Sequence, residues 1–282
     1  MAKAQLTDAQ IKAQIIAKSQ AQSKTQTDTQ SLFPTEIIGL PSRGLVYSAD
    51  NPLSAGQVEI RYMTAKDEDI LTNQNFLKKG VALDKLYRAL VVGNGKGEPV
   101  NIDDMIMGDR SAVMLGARML GYGAEYPIEV THPDTGKKIT HTVDLNQLEP
   151  RPLDESLYNN TREFEYQLPV SKKTIVFKLK TAVEDKAIER AINAQEKSGQ
   201  PIRNTTTQLK YLITNIDGND DKKFIDEFID NHMLAKDSLL LRNYILDITP
   251  DYDLTITVDI PHEDYHEILA LPIDLNFFWP RS

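Results

Sequence analysis

Four landmarks occur twice, in the same order, between residues 34 and 282. That repetition restricts the chain to folds built from two similar units. The first landmark is a Leu-Pro pair, Leu40-Pro41 and Leu168-Pro169, each leading through turn-rich sequence to a strand-like run, VEIRYM at 58–63 and IVFKLK at 175–180. Each run ends in Thr-Ala and then acids: Thr64, Ala65, Asp67, Glu68 and Asp69 in one copy, Thr181, Ala182, Glu184 and Asp185 in the other. Threonine caps a helix N-terminus through its side-chain oxygen, and the helix dipole favours acids in the first turn, so a helix is predicted to start at both places. A short helix comes next, LDKLYRAL at 83–90 and QLKYLI at 208–213. A longer helix follows, opened by Asp109 with Val113, Met114, Ala117 and Leu120 at helical spacing, or by Asp237 with Leu240, Leu241, Tyr244, Ile245 and Ile248. Gly121 or Gly123 stops the first and Pro250 the second. Last comes a hairpin, 126–131 with 139–145 and 254–260 with 268–275, each closing on nearly the same phrase, VDLNQLEP at 143–150 and IDLNFFWP at 273–280. The expected fold is α+β: two related lobes from an internal duplication, 34–150 and 163–282, each with β-hairpins and short helices. Prolines 150 and 152 and the pair Asn159-Asn160 mark 151–162 as a linker.

At 282 residues the chain is long enough for each lobe to bury its own core. Residues 1–33 are different in kind, with seven glutamines among Ala, Ser, Thr and Lys and almost no apolar residues besides Leu6, Ile11, Ile15 and Ile16. Such a segment cannot support a core, although its apolar residues fall loosely on one helical face. It reads as a polar arm, either a frayed tail or a helix that docks on the body or on a partner. Hydrophobic residues make up 40% of the chain and charged residues 26%, as in soluble globular proteins, and no apolar run approaches the ~20 residues needed to cross a bilayer. Gln and Lys interrupt every candidate secretory h-region near the N-terminus, so cytoplasmic synthesis is expected. The absence of cysteine excludes disulfides, thiol nucleophiles and thiolate zinc sites. A formal charge of -9 disfavours nonspecific binding to nucleic acid or anionic membranes, and the lysine pairs at 78–79, 137–138 and 172–173 are scattered rather than clustered.

One string carries the pattern of a zinc hydrolase, His262-Glu263-Asp264-Tyr265-His266. In that chemistry two histidines one helical turn apart hold zinc and the glutamate serves as general base. Pro261 and strand-like neighbours place the string in a hairpin turn instead, and the 16 residues after His266 supply neither another histidine nor a glutamate beyond Glu267. The loop Gly93-Asn94-Gly95-Lys96-Gly97 lacks the spacing of a phosphate cradle and reads as a turn. His132 and His141 could approach across the first hairpin, but without thiolates or a nearby carboxylate they make a poor metal site. The acids at 67–69 and at 217, 220 and 221 read as helix caps and turns rather than as a calcium loop. The expectation is therefore no catalytic residue, no cofactor and no metal. Phe277, Phe278 and Trp279 near the C-terminus either close the second core or are offered to a partner. Together with Leu6, Ile11 and Ile15 they are the candidate partner-binding residues.

The strings LPSRGLVY (40–47), VEIRYMTAKDEDIL (58–71), KKGVALDKL (78–86), MIMGDRSAVMLGARMLGYG (105–123) and FFWP (277–280) resemble the baseplate hub and hub-assembly family of T4-like contractile-tailed phages. The resemblance covers nearly everything from about residue 34 and is strongest in the first lobe. It implies a non-enzymatic structural role in the virion tail baseplate, assembled in the host cytoplasm, with other phage tail proteins as partners in a symmetric assembly. It leaves open a transient assembly chaperone, for example for the tape measure protein. Some relatives carry cysteine pairs near the first hairpin, and the lack of cysteine here removes any structural metal they would hold.

Overall fold

In a computed structural model of the chain, residues 33–131, 135–260, 265–271 and 275–278 are described. The fold is α+β, with helices packed around several small antiparallel sheets. The first half opens with strands β1 (Thr35–Gly39) and β2 (Gln57–Arg61), joined by a long turn-rich connection containing a 3-10 turn at Pro52–Ala55. Helices α1 (Ala65–Thr72), α2 (Gln74–Lys78) and α3 (Ala82–Leu90) follow, and α3 runs directly into the short strand β3 (Val91–Gly93). After a second 3-10 turn at Ile102–Asp104 comes the long helix α4 (Met107–Tyr122), then the hairpin β4 (Glu125–Thr131) and β5 (Lys138–Asp144) and a 3-10 turn at Leu145–Gln147.

The second half follows a similar order, with two helices in place of three before its third strand. Strands β6 (Glu163–Gln167) and β7 (Thr174–Lys178) lead to helices α5 (Ala182–Lys197) and α6 (Asn204–Leu212), and α6 runs directly into β8 (Ile213–Ile216). An additional helix α7 (Lys222–Asn231) precedes the long helix α8 (Ala235–Ile248). The hairpin β9 (Thr255–Ile260) and β10 (Tyr265–Ala270) and a 3-10 turn at Leu275–Phe278 complete it. The two three-stranded sheets have the matching orders β1-β2-β3 and β6-β7-β8. Their central strands alternate alike, with Val58 and Ile60 of β2 and Ile175 and Phe177 of β7 turned into the core. In both sheets the register shifts where the third strand joins, at Glu59/Ile60 and at Val176/Phe177.

Both helix starts predicted at Thr-Ala are built as capping boxes. The Thr64 N–H and hydroxyl both donate to the Asp67 carboxylate at 2.8 Å, and Arg61 grips that carboxylate with two bonds of 2.7 Å. At the second start the Thr181 hydroxyl donates to Glu184 at 2.6 Å, while Arg162 (3.0 and 3.1 Å) and Lys178 (2.7 Å) hold the same carboxylate. A clamped acid at the third helical position thus ties each helix to its own sheet.

Four differences from the sequence reading have physical causes. Strand β1 carries no period-2 alternation of apolar residues, β6 offers only two apolar residues among three polar ones, and the three- and four-residue strands β3 and β8 begin where a helical apolar pattern has not yet ended. The second strand of the last hairpin spans 265–270 rather than 268–275, since Pro272 has no N–H with which to extend a ladder. The matching closing phrases therefore sit at 3-10 turns in both halves, but the second turn starts four residues farther past its hairpin, at Leu275 after Ala270, against Leu145 directly after Asp144. Asp109 and Asp237 occupy the third position of α4 and α8 rather than opening them.

The segment 151–162 is pinned down rather than slack. Arg151 N–H donates to the Asp251 carbonyl (2.8 Å), Tyr158 is buried with its hydroxyl donating to the Ile248 carbonyl, and its ring meets Phe164 edge-on at 5.5 Å. One apolar core runs through both halves, from Leu40, Ile60 and Val113 to Phe177, Leu241 and Phe277.

Candidate docking site

Several buried polar groups among the described residues fasten loop backbone to a helix or one half to the other. Asp109 is fully buried, accepting from the Ser42 N–H (3.0 Å), the Ser42 hydroxyl (2.7 Å) and the Tyr47 hydroxyl (2.6 Å), while Tyr47 oxygen accepts from the Ile106 N–H (3.0 Å). Burial pushes the Asp109 carboxyl up to about 6 against the pull of these donors, and nearby Asp251 adds to the rise. At the same place in the second half Asp237 accepts from the N–H groups of Val170 (2.8 Å) and Ser171 (2.9 Å). Burial opposes ionisation there too, but the two amides outweigh it and hold the carboxyl below its usual range. Each Leu-Pro turn is therefore gripped by the aspartate of its own long helix.

The junction between halves is polar at its edges and apolar within. Met107 N–H donates to the Lys180 carbonyl (3.2 Å) and Asp253 N–H to the Glu149 carbonyl (2.9 Å). Lys186 of α5 bridges Asp84 (2.6 Å) and Asp103 (3.0 Å) of the first half, and Arg110, which pairs with Asp84, lies over the Tyr87 ring at 4.5 Å. Gly108 sits so close beneath Pro250 that a Cβ would fall 1.8 Å from the Pro250 carbonyl oxygen, and only glycine fits. Arg118, 1% exposed, fans out to three carbonyls: Phe277 (3.0 Å), Gly123 (2.8 Å) and Glu125 (3.3 Å).

The residues proposed from sequence to bind partners are placed unevenly. Phe277 and Phe278 are both 0% exposed, with Phe277 against the Tyr126 ring at 4.9 Å, so their rings close the chain's own core and present no face to a partner. Aromatic composition alone cannot separate these two uses, because burial in a core and burial in an interface demand the same side chains. Trp279, Leu6, Ile11 and Ile15 lie outside the described residues. So do His262, Glu263 and His132, whereas His266 lies on β10, a strand, where a helix would be required to bring the two histidines of the zinc pattern together. Among the described residues no group of three or more metal-ligating side chains could hold an ion. His141 stands opposite Ile128 in its hairpin. Asn94 closes the Gly93–Gly97 loop from within, its side-chain oxygen accepting from the N–H groups of Lys96 (2.9 Å) and Glu98 (3.2 Å). Asp217 binds the Thr174 N–H and Lys173, both in β6-β7-β8 surroundings, and Asp221 caps α7.

What the surface offers instead is apolar. Phe224 of α7, Leu234 just before α8, and Leu239 and Leu246 of α8 are 40–60% exposed on neighbouring helices. Beside them a groove of about 390 Å³ runs between α6 and α8, lined by Leu209, Leu212, Ile245 and Leu246 with Arg151 and Arg242 at its edges. Sequence reasoning passed over Leu239 and Leu246 because they sit in a run, SLLLRNYILDI, whose neighbouring apolar members Leu241 and Ile248 are buried. The signal was present: apolar residues on more than one side of a helix. No helix in the described residues is long and apolar enough to cross a membrane.

Residues 46–279 match the model of the family described as T4 bacteriophage base plate protein. No curated protein and no solved structure matches.

Proposed function

The chain belongs to the T4 bacteriophage base plate protein family, which spans residues 46–279 of it, and from that premise we propose that it is a non-enzymatic hub subunit retained in the baseplate of a contractile tail. The observation that carries the reading, beyond family membership, is the use made of buried polar chemistry. Asp109, Asp237, Glu184 and Arg118, the charged groups that a catalytic site would need free, each hold backbone or a capping box. Exposed apolar side chains gather on and beside α7 and α8, at Phe224, Leu234, Leu239 and Leu246, and such side chains are the material of protein–protein contact. Its partners are then other tail and baseplate proteins arranged about the tail axis.

The same reading treats the halves as products of an internal duplication, 34–150 and 163–282, with residues 1–33 as an arm that engages a partner through Leu6, Ile11 and Ile15. Support for the duplication comes from the matching sheet orders, the paired register shifts, the two clamped capping boxes and the two aspartates that grip Leu-Pro turns. Immunogold labelling of purified particles tests the placement. Label at the distal end of the tail is expected; label confined to unassembled fractions would overturn the reading in favour of a transient chaperone for a tail protein such as the tape measure.

A further inference from the structure

Helix α8 exposes a stripe that its counterpart α4 hides. Aligned on Asp109 and Asp237, residues Gly108, Ser111, Leu115 and Arg118 of α4 match Lys236, Leu239, Asn243 and Leu246 of α8. The α4 stripe is closed by the other half of the chain: Pro250 lies over Gly108, the Phe277 carbonyl accepts from Arg118, and Leu115 and Arg118 are 2% and 1% exposed. On α8 the stripe stays open to solvent, with Asn243 and Leu246 also forming one wall of the groove beside α6. Leu239 and Leu246 are 49% and 60% exposed, and Lys236, Asn243 and Asp247 are exposed with them.

The order of residues along this stripe selects the occupant. Lys236 stands at the N-terminal end, Asp247 at the C-terminal end, and the two leucines lie four residues before and three after Asn243. Run in reverse, the stripe is complementary to itself. Two α8 helices packed antiparallel about a twofold axis near Asn243 bring Leu239 of each against Leu246 of the other and Lys236 of each towards Asp247, so every contact is made twice. Arg242 does not disturb the seam, because its Nε donates back to the Ser238 carbonyl of its own helix at 3.3 Å. We propose that α8 is a contact between two copies of this chain. A single helix pair buries less than the ~1,200 Å² of stable complexes, so the dimer is weak by itself and gains strength where an assembly holds copies close together.

The chain has no cysteine, so one engineered thiol reports on the axis without background. Full-length Asn243→Cys, oxidised with diamide, is expected to form a disulfide-linked dimer, because the twofold axis sets the two Cα atoms within the ~7 Å that a disulfide requires. Ile268→Cys, equally accessible on β10 at 65% exposure, is expected to stay monomeric, and adding Leu246→Glu to Asn243→Cys is expected to slow crosslinking at least ~10-fold. In sedimentation velocity from ~10 to ~500 µM the unmodified chain moves towards dimer mass, whereas Leu246→Glu, with an unchanged circular dichroism spectrum, stays monomeric. Crosslinking of Asn243→Cys no faster than of Ile268→Cys, or a monomer throughout that range, overturns the proposal. Either of those results would leave the baseplate reading intact, since a monomeric chain can still be a virion component.

Discussion

Two buried carboxylates in this fold respond to pH in opposite directions. For Glu184 burial by itself would raise the pKa, but Arg162, Lys178 and the Thr181 N–H and hydroxyl outweigh it and bring the carboxyl down to about 2 from 4.5. A depressed folded value means stability that is present above pH 4.5 and is lost as pH falls towards 2. Allowing for solvent at the edge of the clamp, the contribution is on the order of 2 kcal/mol. Glu184→Gln is therefore expected to lower stability by about that amount at pH 7 and to flatten the acid limb of a urea-unfolding series. Asp109 runs the other way. Its folded value of about 6 lies above the unfolded value, so the folded state holds the proton more tightly, and stability falls as pH rises from about 4 to about 6. Asp109→Asn keeps an acceptor for the Ser42 N–H, and it is expected to remove that slope while leaving stability at pH 7 within about 1 kcal/mol of the parent. A steeper slope between pH 4 and 6 in the asparagine variant would contradict the assignment.

Among the elements, α4 and α8 show how one pattern is put to different use. Gly108 leaves room for Pro250 to cross α4, so Gly108→Ala forces carbonyl and Cβ together and is expected to cost about 2–3 kcal/mol. Phe277→Ala removes a fully buried ring from the α4 side and is expected to cost about 3–5 kcal/mol, while Leu246→Ala, on the open side of α8, changes thermal stability by less than about 0.5 kcal/mol. Equal losses at the two positions, read from denaturant midpoints, would refute the distinction. The sequence made the long helices, the hairpins and both capping starts legible, because Thr-Ala-acid and the 3.6-residue spacing of Val113, Met114, Ala117 and Leu120 are local signals. It left the three- and four-residue strands β3 and β8 unread, since a strand that short shows no periodicity of its own. The exposed leucines were unread for another reason: whether an apolar helix residue faces the core or solvent depends on what packs against it, and the neighbours of α8, such as Tyr166 and Phe177 against Tyr244, lie far outside the helix in sequence. The same holds for Phe277, for which the sequence leaves core closure and partner contact both open, because the groups it packs against, Tyr126 and Arg118 of the first half, are distant in sequence.

At the scale of the molecule, a single core passes through both halves, and the segment between them is fastened by Arg151, Tyr158 and the Pro150–Tyr252 bridge. The consequence is cooperative unfolding. Calorimetry of the full chain is expected to show one transition with equal calorimetric and van't Hoff enthalpies, and neither 34–150 nor 163–282 is expected to fold alone, because each would expose the face that the other covers. Two resolved transitions would contradict this. One continuous core suits the structural part in the baseplate that is proposed for the chain. The most direct test of that role is quantitative mass spectrometry of purified virions. A fixed, reproducible ratio of this chain to other baseplate proteins is the predicted result; its absence from intact particles, with abundance only in infected-cell extracts, would contradict the account.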